Sequence, residues 1–420
     1  MPNCKCEFIS NNCIVLFGHK PKKHSWTPIC NLIRRAQKRG AKLIVLDPLR
    51  SENAKVADLW LPLRAGTDAA MCLGWLKVII DEHLYDSTFV AKWTVGFEEF
   101  RQRVDEFPLD RGAEITGVSA DLIATVARMY ASTMPGVIPW TPTTDQQRNS
   151  TLAIRLQCIL RALTGNLDVR GGEMVIPFHP DIISETEPEL HGHLPQAQKD
   201  KQLGSQTHPA FTYRGTDALR EPTLRVWGVE YANIISGSYM ANPSALFRAM
   251  ADGEPYPVKA FFVLANNSLL SYANMQLVFR AMMNQELIVA HEHRMTPTAQ
   301  LADYVLPGDS WTERPSINDY YGWGGSIVRT SMQLLSPPGE CRGAYDFWHD
   351  LAHRVGLGEH FPWQNQTEIL DYRVGRFGMK YEEFAQTHRV HVAPWEFRKY
   401  DTTGFATPSG KIEIKSKKSE

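Results

Sequence analysis

The run from Lys42 to Ala70, KLIVLDPLRSENAKVADLWLPLRAGTDAA, constrains the fold more than any other part of the chain. Its apolar segment KLIVLD ends at Asp47 before Pro48, which is typical of a buried parallel strand that opens into a loop. A second apolar segment, ADLWLPL, leads into Gly66, which permits a tight turn, and then into Thr67 and Asp68, either of which can begin a predicted helix. Ligands of open α/β sheets bind at such strand ends, and a helix start attracts anions. Asp47 and Asp68 are therefore the first candidates for a binding site.

The composition is that of an ordinary globular protein and excludes several functional classes. The 420 residues are enough for about two or three domains with sizeable cores. The 45 Lys and Arg residues nearly balance the 46 Asp and Glu residues, so the charge indicates neither a nucleic-acid partner nor an anionic membrane. No apolar run is long enough to span a bilayer, and no signal-peptide pattern opens the chain. The seven scattered cysteines are typical of a reducing compartment, so we predict a soluble, cytoplasmic protein.

Strand and helix patterns alternate along the chain. The apolar run Cys13 to Gly18 predicts a strand, Thr27 to Arg39 predicts a helix, and KLIVLD predicts the next strand, which together make a βαβ unit. We therefore predict an α/β fold with two Rossmann-like domains and mainly parallel sheets. The predicted organisation is an α/β dinucleotide-binding domain over residues 1–175, an irregular excursion over 176–239, a second α/β domain over 240–390 that is half of a discontinuous domain, and a linker over 391–420 towards a further C-terminal domain.

Acidic residues at two strand ends favour a dinucleotide ligand over a small metabolite. Taken alone, each aspartate is more often structural, because Asp47 before Pro48 is a good turn former and Asp68 suits a helix start. Their joint placement favours binding, since one carboxylate can accept from ribose hydroxyls and another can pair with the N1–H and amino group of guanine. The close cysteine and histidine pairs have no further ligand at a recognisable spacing, so no metal site is predicted at Cys4 with Cys6, His191 with His193, or His291 with His293.

Four runs of the chain resemble one family of metalloenzymes. They are DPLRSENAKVADLWLPLRAGTDAA, LRALTGNLDVRGG, MTPTAQLADYVLPGDSWTERPS and FATPSGKIEI, and they span nearly the whole chain. These runs are similar to those of the molybdenum- and tungsten-dependent oxidoreductases of the dimethyl sulfoxide reductase family, which carry two molybdopterin guanine dinucleotides. The resemblance implies the central portion of that fold. An N-terminal iron–sulfur domain with its cluster and a C-terminal β-barrel domain would then lie outside this chain.

The resemblance implies cofactor contacts at the ends of predicted strands. Two departures from the family pattern occur, since Asn266-Asn267 stands for the usual Asn-Pro and Pro315-Ser316 follows Glu313 in place of Gly-Thr. The family's metal-coordinating side chain and catalytic acid lie upstream of Met1, so no catalytic residue or metal ligand is assigned. The implied cofactor-binding residues are Gly18, Lys20, Asp47, Arg50, Arg64, Gly66, Asp68, Asp145, Gln147, Asn266, Asn267, Thr298, Asp303 and Glu313.

Further runs, among them FISNNCIVLFG, KRGAKLIVLDP and YPVKAFFVLANNSL, are similar to those of a tungsten branch of that family that adds water to a small unsaturated substrate without net redox change. This implies that Trp26 and Trp140 line an apolar substrate pocket, although a tryptophan after a strand end is as often part of the core. Two alternatives stay open: a redox member of the family, which would need an electron-transfer partner, and a non-catalytic α/β binding module. We expect the chain on its own to be inactive and to bind the cofactor weakly, because flanking domains complete the family's cofactor site.

Overall fold

The computed structural model describes most of the chain. The described residues are 4–6, 10–19, 27–175, 181–183, 187–188, 190, 193–209, 212–218, 240–318, 327–392, 396–405 and 407–415. They form two compact units. The first contains the described residues up to Pro177 and those from Pro394 onwards, and the second contains the described residues between Phe178 and Ala393.

The elements are numbered in chain order over the described residues. The strands are β1 (Cys4–Cys6), β2 (Cys13–Phe17), β3 (Lys42–Leu46), β4 (Leu59–Leu61), β5 (Thr94–Val95), β6 (Gly136–Val137), β7 (Glu173–Val175), β8 (Ala260–Leu264), β9 (Leu287–Glu292), β10 (Tyr304–Pro307), β11 (Ser316–Asn318), β12 (Ile327–Ser331), β13 (Val390–Val392) and β14 (Ile412–Glu413). The α-helices are α1 (Thr27–Lys38), α2 (Asp68–Asp81), α3 (Ser87–Trp93), α4 (Phe97–Asp105), α5 (Leu109–Thr116), α6 (Ala120–Ser132), α7 (Pro142–Asp145), α8 (Ser150–Leu163), α9 (Gln196–Lys199), α10 (Pro243–Asp252), α11 (Ser268–Ser271), α12 (Met275–Met283), α13 (Ala344–Arg354), α14 (Gln366–Val374), α15 (Tyr381–Thr387) and α16 (Tyr400–Thr403). None of the described helices is long and apolar enough to cross a bilayer.

A four-stranded parallel sheet organises the first unit. Its order is β4-β3-β2-β6, and every neighbouring pair runs parallel. Alternate residues of β2 enter two different cores: Phe17 packs in the cluster with α2, α6 and α8, and Leu16 packs in the cluster with α1. A strand buried on both faces needs apolar residues at every position, which explains the uninterrupted run CIVLF. The predicted α/β class with mainly parallel sheets is confirmed.

Several parts of the first unit have no clear sequence signal. The three short helices α3 to α5 follow one another where the sequence predicts no regular element. The segment after Pro394 also packs in this unit, because Ile412 of β14 pairs with Thr94 of β5. The Lys399 Nζ lies 2.7 Å from the Asp168 Oδ1 in the same unit.

The second unit combines a parallel and an antiparallel sheet. The parallel sheet has the order β10-β9-β8, and Phe247 of α10, Val278 of α12 and Ile288 of β9 share its core. The antiparallel sheet has the order β11-β12-β13 and packs with α14 and α15. The runs VKAFFVLA, ELIVA and ADYVLP predict the parallel strands, but no run predicts the antiparallel ones, because β11 and β13 have only three residues each, too few for a recognisable repeat.

Each unit has an aspartate at the amino edge of its parallel sheet whose side chain and backbone N–H both bond to one residue of the preceding strand. We call this arrangement the aspartate latch. In the first unit the Leu43 N–H donates to the Asp58 Oδ2 (2.9 Å), and the Asp58 N–H donates to the Leu43 carbonyl (2.8 Å). In the second unit the Ile288 N–H donates to the Asp303 Oδ2 (2.7 Å), and the Asp303 N–H donates to the Ile288 carbonyl (2.9 Å). Each aspartate follows a 3-10 turn and precedes the next strand. The latch therefore sets the register of β4 against β3 and of β10 against β9.

Asp303→Ala is expected to lower the free energy of unfolding by about 1 kcal/mol, because the Ile288 N–H loses its acceptor at the start of β9. Asp303→Asn keeps an acceptor oxygen and should cost less. Urea denaturation measures the loss, and amide hydrogen exchange at Ile288 reports the latch itself. Unchanged exchange at Ile288 in the alanine variant would show that the carboxylate does not hold the strand.

Candidate functional site

The carboxyl edge of the first sheet collects most of the predicted residues of that unit. Because β2, β3, β4 and β6 run parallel, their carboxyl ends lie at one edge. Gly18 follows β2, Asp47 follows β3, and Asp68 begins α2 after β4. The loop that follows β6, residues 139–149, carries Asp145 and Gln147 to the same edge, and we call it the edge loop.

Close contacts join the edge loop to the end of β2. The Thr143 Oγ1 donates to the Gly18 carbonyl over 3.1 Å. Gly18 has a φ of 55°, and a Cβ at this position would lie 2.7 Å from the Thr143 Cγ2. Only glycine combines this left-handed conformation with so close an approach. The tight turn predicted at Gly66 is also present, with a φ of 82°.

Asp47 is buried and shapes the turn after β3. The Leu49 N–H donates to the Asp47 Oδ1 over 2.9 Å, which is the side-chain turn that aspartate favours. The Trp60 Nε1 donates to the Asp47 carbonyl over 2.8 Å. The Arg50 guanidinium lies over the same indole, 5.8 Å from the ring centroid. Asp47 and Arg50 are thus held beside each other by Trp60, a residue that sequence reasoning did not assign to the site.

Asp68 and Gln147 meet at the start of α2. Asp68 is only 8% exposed. Burial raises the pKa of its carboxyl, and the Gln147 side chain beside it offsets part of that rise. The contact falls short of a well-aligned hydrogen bond, because neither the Nε2 nor the Oε1 of Gln147 meets hydrogen-bond geometry with a described residue. The buried Asp68 carboxyl therefore lies beside a carboxamide whose polar atoms have unused hydrogen-bonding capacity.

Asp145 and Trp140 form a second polar contact within the edge loop. The Trp140 Nε1 donates to the Asp145 Oδ2 over 2.7 Å. Burial raises the pKa of Asp145, and the indole N–H partly counters the rise. The Asp145 Oδ1 is buried without a hydrogen-bond partner among the described residues. The Trp140 side chain itself is 51% exposed, so this tryptophan does not belong to the core of the first unit.

Arg64 points to a different neighbour. Its Nη1 donates to the Glu114 carbonyl (2.5 Å) and to the Ile115 carbonyl (3.3 Å), which are free carbonyls of the last turn of α5. Gly117 ends that helix in the left-handed region, with a φ of 73°. In this structure the guanidinium therefore joins the loop after β4 to the end of α5.

The carboxyl edge of the second sheet is lined by amides and hydroxyls. The Thr298 Oγ1 donates to the Asn267 Oδ1 over 2.8 Å and accepts from the Leu269 N–H over 2.9 Å. The Ser268 Oγ donates to the Asn266 Oδ1 over 3.0 Å. Thr298 is fully buried, so its hydroxyl holds the Asn266-Asn267 turn in one conformation.

The end of β10 adds charged residues that sequence reasoning partly missed. The Glu313 Oε2 accepts from the Ser310 N–H over 2.9 Å, so the predicted Glu313 folds back on its own turn. The Arg314 Nη1 lies 2.7 Å from the Oδ1 of Asp309, which is buried. Asp309 and Arg314 follow β10 in the same stretch of sequence as Glu313. Their position after that strand could therefore have indicated that they belong to the site. His291 packs so closely on Gly308 that a Cβ there would lie 2.9 Å from the His291 Cε1.

One predicted residue lies away from these edges, and two others lie outside the described part of the chain. Asp303 lies at the amino edge of the second sheet and holds β9 through Ile288, which favours a structural role over a ligand contact. Lys20 and Trp26 lie outside the described residues. Within the described ranges, no three His, Cys, Asp or Glu side chains lie close enough to hold a metal ion.

Asp68→Asn is expected to raise the thermal stability of the chain at neutral pH, because it removes a buried charge and keeps the shape. The raised pKa of Asp68 means that the folded state binds this proton more tightly than the unfolded state. The ionised carboxyl therefore destabilises the fold increasingly as the pH rises above 3.8, the ordinary pKa of an aspartate, and the gain from asparagine shrinks as the pH falls towards 3.8. Thermal unfolding across this range tests the prediction, with Asp81→Asn at the exposed end of α2 as the control. An equal gain in the control would contradict it.

Comparison with known proteins points to one family. Residues 3–354 match the family described as molybdopterin oxidoreductase. The chain is 48% identical over 410 residues to acetylene hydratase of Syntrophotalea acetylenica, which covers 97% of this chain and 56% of that protein. It is 30% identical over 371 residues to formate dehydrogenase H of Escherichia coli strain K12, which covers 88% of this chain and 48% of that protein.

A solved structure gives the same result. The structure of acetylene hydratase from Pelobacter acetylenicus matches with a TM-score of 0.86 at 47% identity, covering 99% of this chain and 56% of that chain. The chain thus spans about half the length of the curated relatives it matches. The family implies a molybdopterin cofactor with molybdenum or tungsten. On the family match, the sequence identity and the shared fold, the chain belongs to the molybdopterin oxidoreductase family.

Proposed function

We propose that this chain is the central portion of an enzyme that hydrates a small unsaturated hydrocarbon, as acetylene hydratase does. The observation that carries the proposal is the 48% identity to acetylene hydratase over 97% of the chain. The cofactor would be two molybdopterin guanine dinucleotides with tungsten or molybdenum, and an iron–sulfur cluster would be bound by residues outside this chain. A redox member of the family is the alternative, since formate dehydrogenase H is 30% identical.

The first edge fits one guanine dinucleotide. The buried Asp145 Oδ1 and both polar atoms of Gln147 have hydrogen-bonding capacity that the described residues leave unused. The Asp68 carboxylate would accept from the guanine N1–H and amino group, and Asp47 would accept from ribose hydroxyls. Gly18 would hold the edge loop against the end of β2, because Thr143 fills the space that a Cβ would take there. The second edge would hold the other dinucleotide through Asn266, Asn267, Thr298 and Glu313.

The edge loop would form part of the substrate pocket. When bound, the cofactor supplies the metal centre at which water and hydrocarbon react. Trp140 presents an apolar surface beside a buried carboxyl, and its indole orientation is fixed by Asp145. An apolar wall favours a small hydrocarbon over a charged oxyanion and keeps bulk water from the site. Trp26 is proposed to line the same pocket.

The direct test is an assay of the enzyme that contains this chain together with its flanking domains. We expect acetaldehyde from acetylene without any added electron acceptor, because hydration is not a redox reaction. Turnover that requires an acceptor would instead identify a redox member of the family with an electron-transfer partner. A protein that retains no pterin would identify a non-catalytic module. The 420-residue chain alone is expected to be inactive and serves as the control.

Asp68→Asn should lower retention of the cofactor in this enzyme, because the amide would present a donor to the guanine amino group. The loss of a buried charge-assisted bond is worth roughly 1 to 3 kcal/mol of binding. Pterin content after purification gives the measurement. The same variant is expected to gain thermal stability at neutral pH. Asp68→Asn would therefore stabilise the fold and weaken cofactor binding. Unchanged pterin content would remove Asp68 from the guanine site.

Trp140→Ala should impair turnover and leave folding nearly intact, since the side chain is 51% exposed. The matched variant Trp75→Ala removes a fully buried tryptophan of the first core and should cost about 3 to 5 kcal/mol of stability. Thermal unfolding and activity per folded molecule separate the two cases. A large loss of stability in Trp140→Ala with normal activity per folded molecule would show that this tryptophan is structural.

A further inference from the structure

The outer edge of strand β6 is satisfied by side chains where a further strand would otherwise pair. β6 is the last strand in the order β4-β3-β2-β6. The Gly136 N–H donates to the Asn166 Oδ1 over 2.7 Å, and the Ile138 N–H donates to the Glu173 Oε1 over 2.6 Å. The Ile138 carbonyl accepts from the Arg161 Nη2 over 2.5 Å. Three side chains thus continue the hydrogen-bond pattern of the sheet up to Ile138, the residue before the edge loop.

Two of these side chains form a buried ion pair. The Arg161 Nε lies 3.2 Å from the Glu173 Oε1, and the two side chains are 7% and 1% exposed. Burying two charges is costly unless their geometry and hydrogen bonds are fixed. A neutral amide would satisfy a backbone N–H equally well, as Asn166 does at Gly136. The charged pair holds both the N–H and the carbonyl of Ile138.

Arg161 also connects the two ends of the edge loop. It belongs to α8, the helix that begins directly after the loop, and it binds Ile138, the residue directly before the loop. Pro139 stands between Ile138 and Trp140 and restricts the backbone there. A displacement of Ile138 therefore moves Trp140, and with it the Trp140–Asp145 hydrogen bond.

We propose that the Arg161–Glu173 ion pair is a positioning device that fixes the edge loop and thereby sets the size of substrate that the pocket admits. This inference rests on the proposed function, since it takes Trp140 as a pocket wall. A small hydrocarbon offers no hydrogen bonds, so the pocket can select it only by shape and the position of the wall decides selectivity. Arg161 and Glu173 touch neither substrate nor cofactor in this proposal and act through Ile138.

The test is Arg161→Lys in the holoenzyme, which keeps the charge and loses the planar fork that binds Glu173 and Ile138 together. The matched control is Arg128→Lys, which alters an exposed ion pair of the same unit, with Arg128 Nη2 2.7 Å from Glu82 Oε1. We expect Arg161→Lys to raise the KM for acetylene about tenfold with a smaller change in kcat, because misplacement of the wall weakens binding of a substrate held by shape. The preference for acetylene over propyne should fall in parallel, and the control should change neither quantity.

A purely structural role would lower the yield of folded enzyme and leave the KM and the acetylene-to-propyne preference unchanged, and that result would overturn the proposal. If Arg161→Lys does not fold, Glu173→Gln provides the second variant, since it keeps an acceptor for the Ile138 N–H and removes the charge pair. Hydrogen exchange of residues 140–147 measures the positioning of the edge loop directly, so it tests the ion pair independently of the proposed hydration of acetylene. If the wild-type enzyme does not hydrate acetylene, the proposed function fails, and the positioning role then stands only if this segment exchanges faster in Arg161→Lys than in Arg128→Lys.

Discussion

The parallel pairing of β2 and β3, buried on both faces, is the constraint on which the first unit depends. Apolar side chains occupy both faces of β2, so polar side chains are accommodated only at the strand ends. The ladder continues to the last residue, where the Gly18 N–H donates to the Leu46 carbonyl over 2.8 Å. Gly18 and Asp47 are therefore neighbours because the strands beneath them are. The part of the candidate site formed by Gly18 and Asp47 follows from the register of the sheet.

The outer edge of the sheet, at β6, is hydrogen-bonded by side chains instead of by a neighbouring strand. A fifth strand would have satisfied β6 with neutral backbone groups, whereas Asn166, Arg161 and Glu173 do so with side chains that are themselves buried. Because side chains and not a neighbouring strand bond to this edge, the pairing stops at Ile138. The edge loop can therefore turn away directly after that residue. That turn is what brings Trp140 and Asp145 over the carboxyl edge. The same three residues thus stabilise the fold and define where the candidate pocket begins.

The two units repeat one structural scheme with different chemistry at the edge. Each has a 3-10 turn, an aspartate that holds the preceding strand, and a parallel strand that ends in polar residues. The first unit ends in carboxyls and a carboxamide, such as Asp68 and Gln147, while the second ends in amides and a hydroxyl, such as Asn267 and Thr298. Under the proposed function each set would bind one guanine, because carboxylate and amide oxygens both accept from its N1–H and amino group. This repetition is what two related dinucleotide sites would require.

The sequence by itself determined the α/β class, the parallel strands and the polar residues at their ends, because these depend on local hydrophobic patterns and turn residues. It also carried the family resemblance. Tertiary structure alone decided what each of these polar residues contacts. Asp303 bonds to Ile288 of the neighbouring strand β9, whereas Asp68 lies beside Gln147 of the edge loop. The exposure of Trp140 and the ion pair between Arg161 and Glu173 likewise depend on contacts between distant segments, which no local pattern encodes.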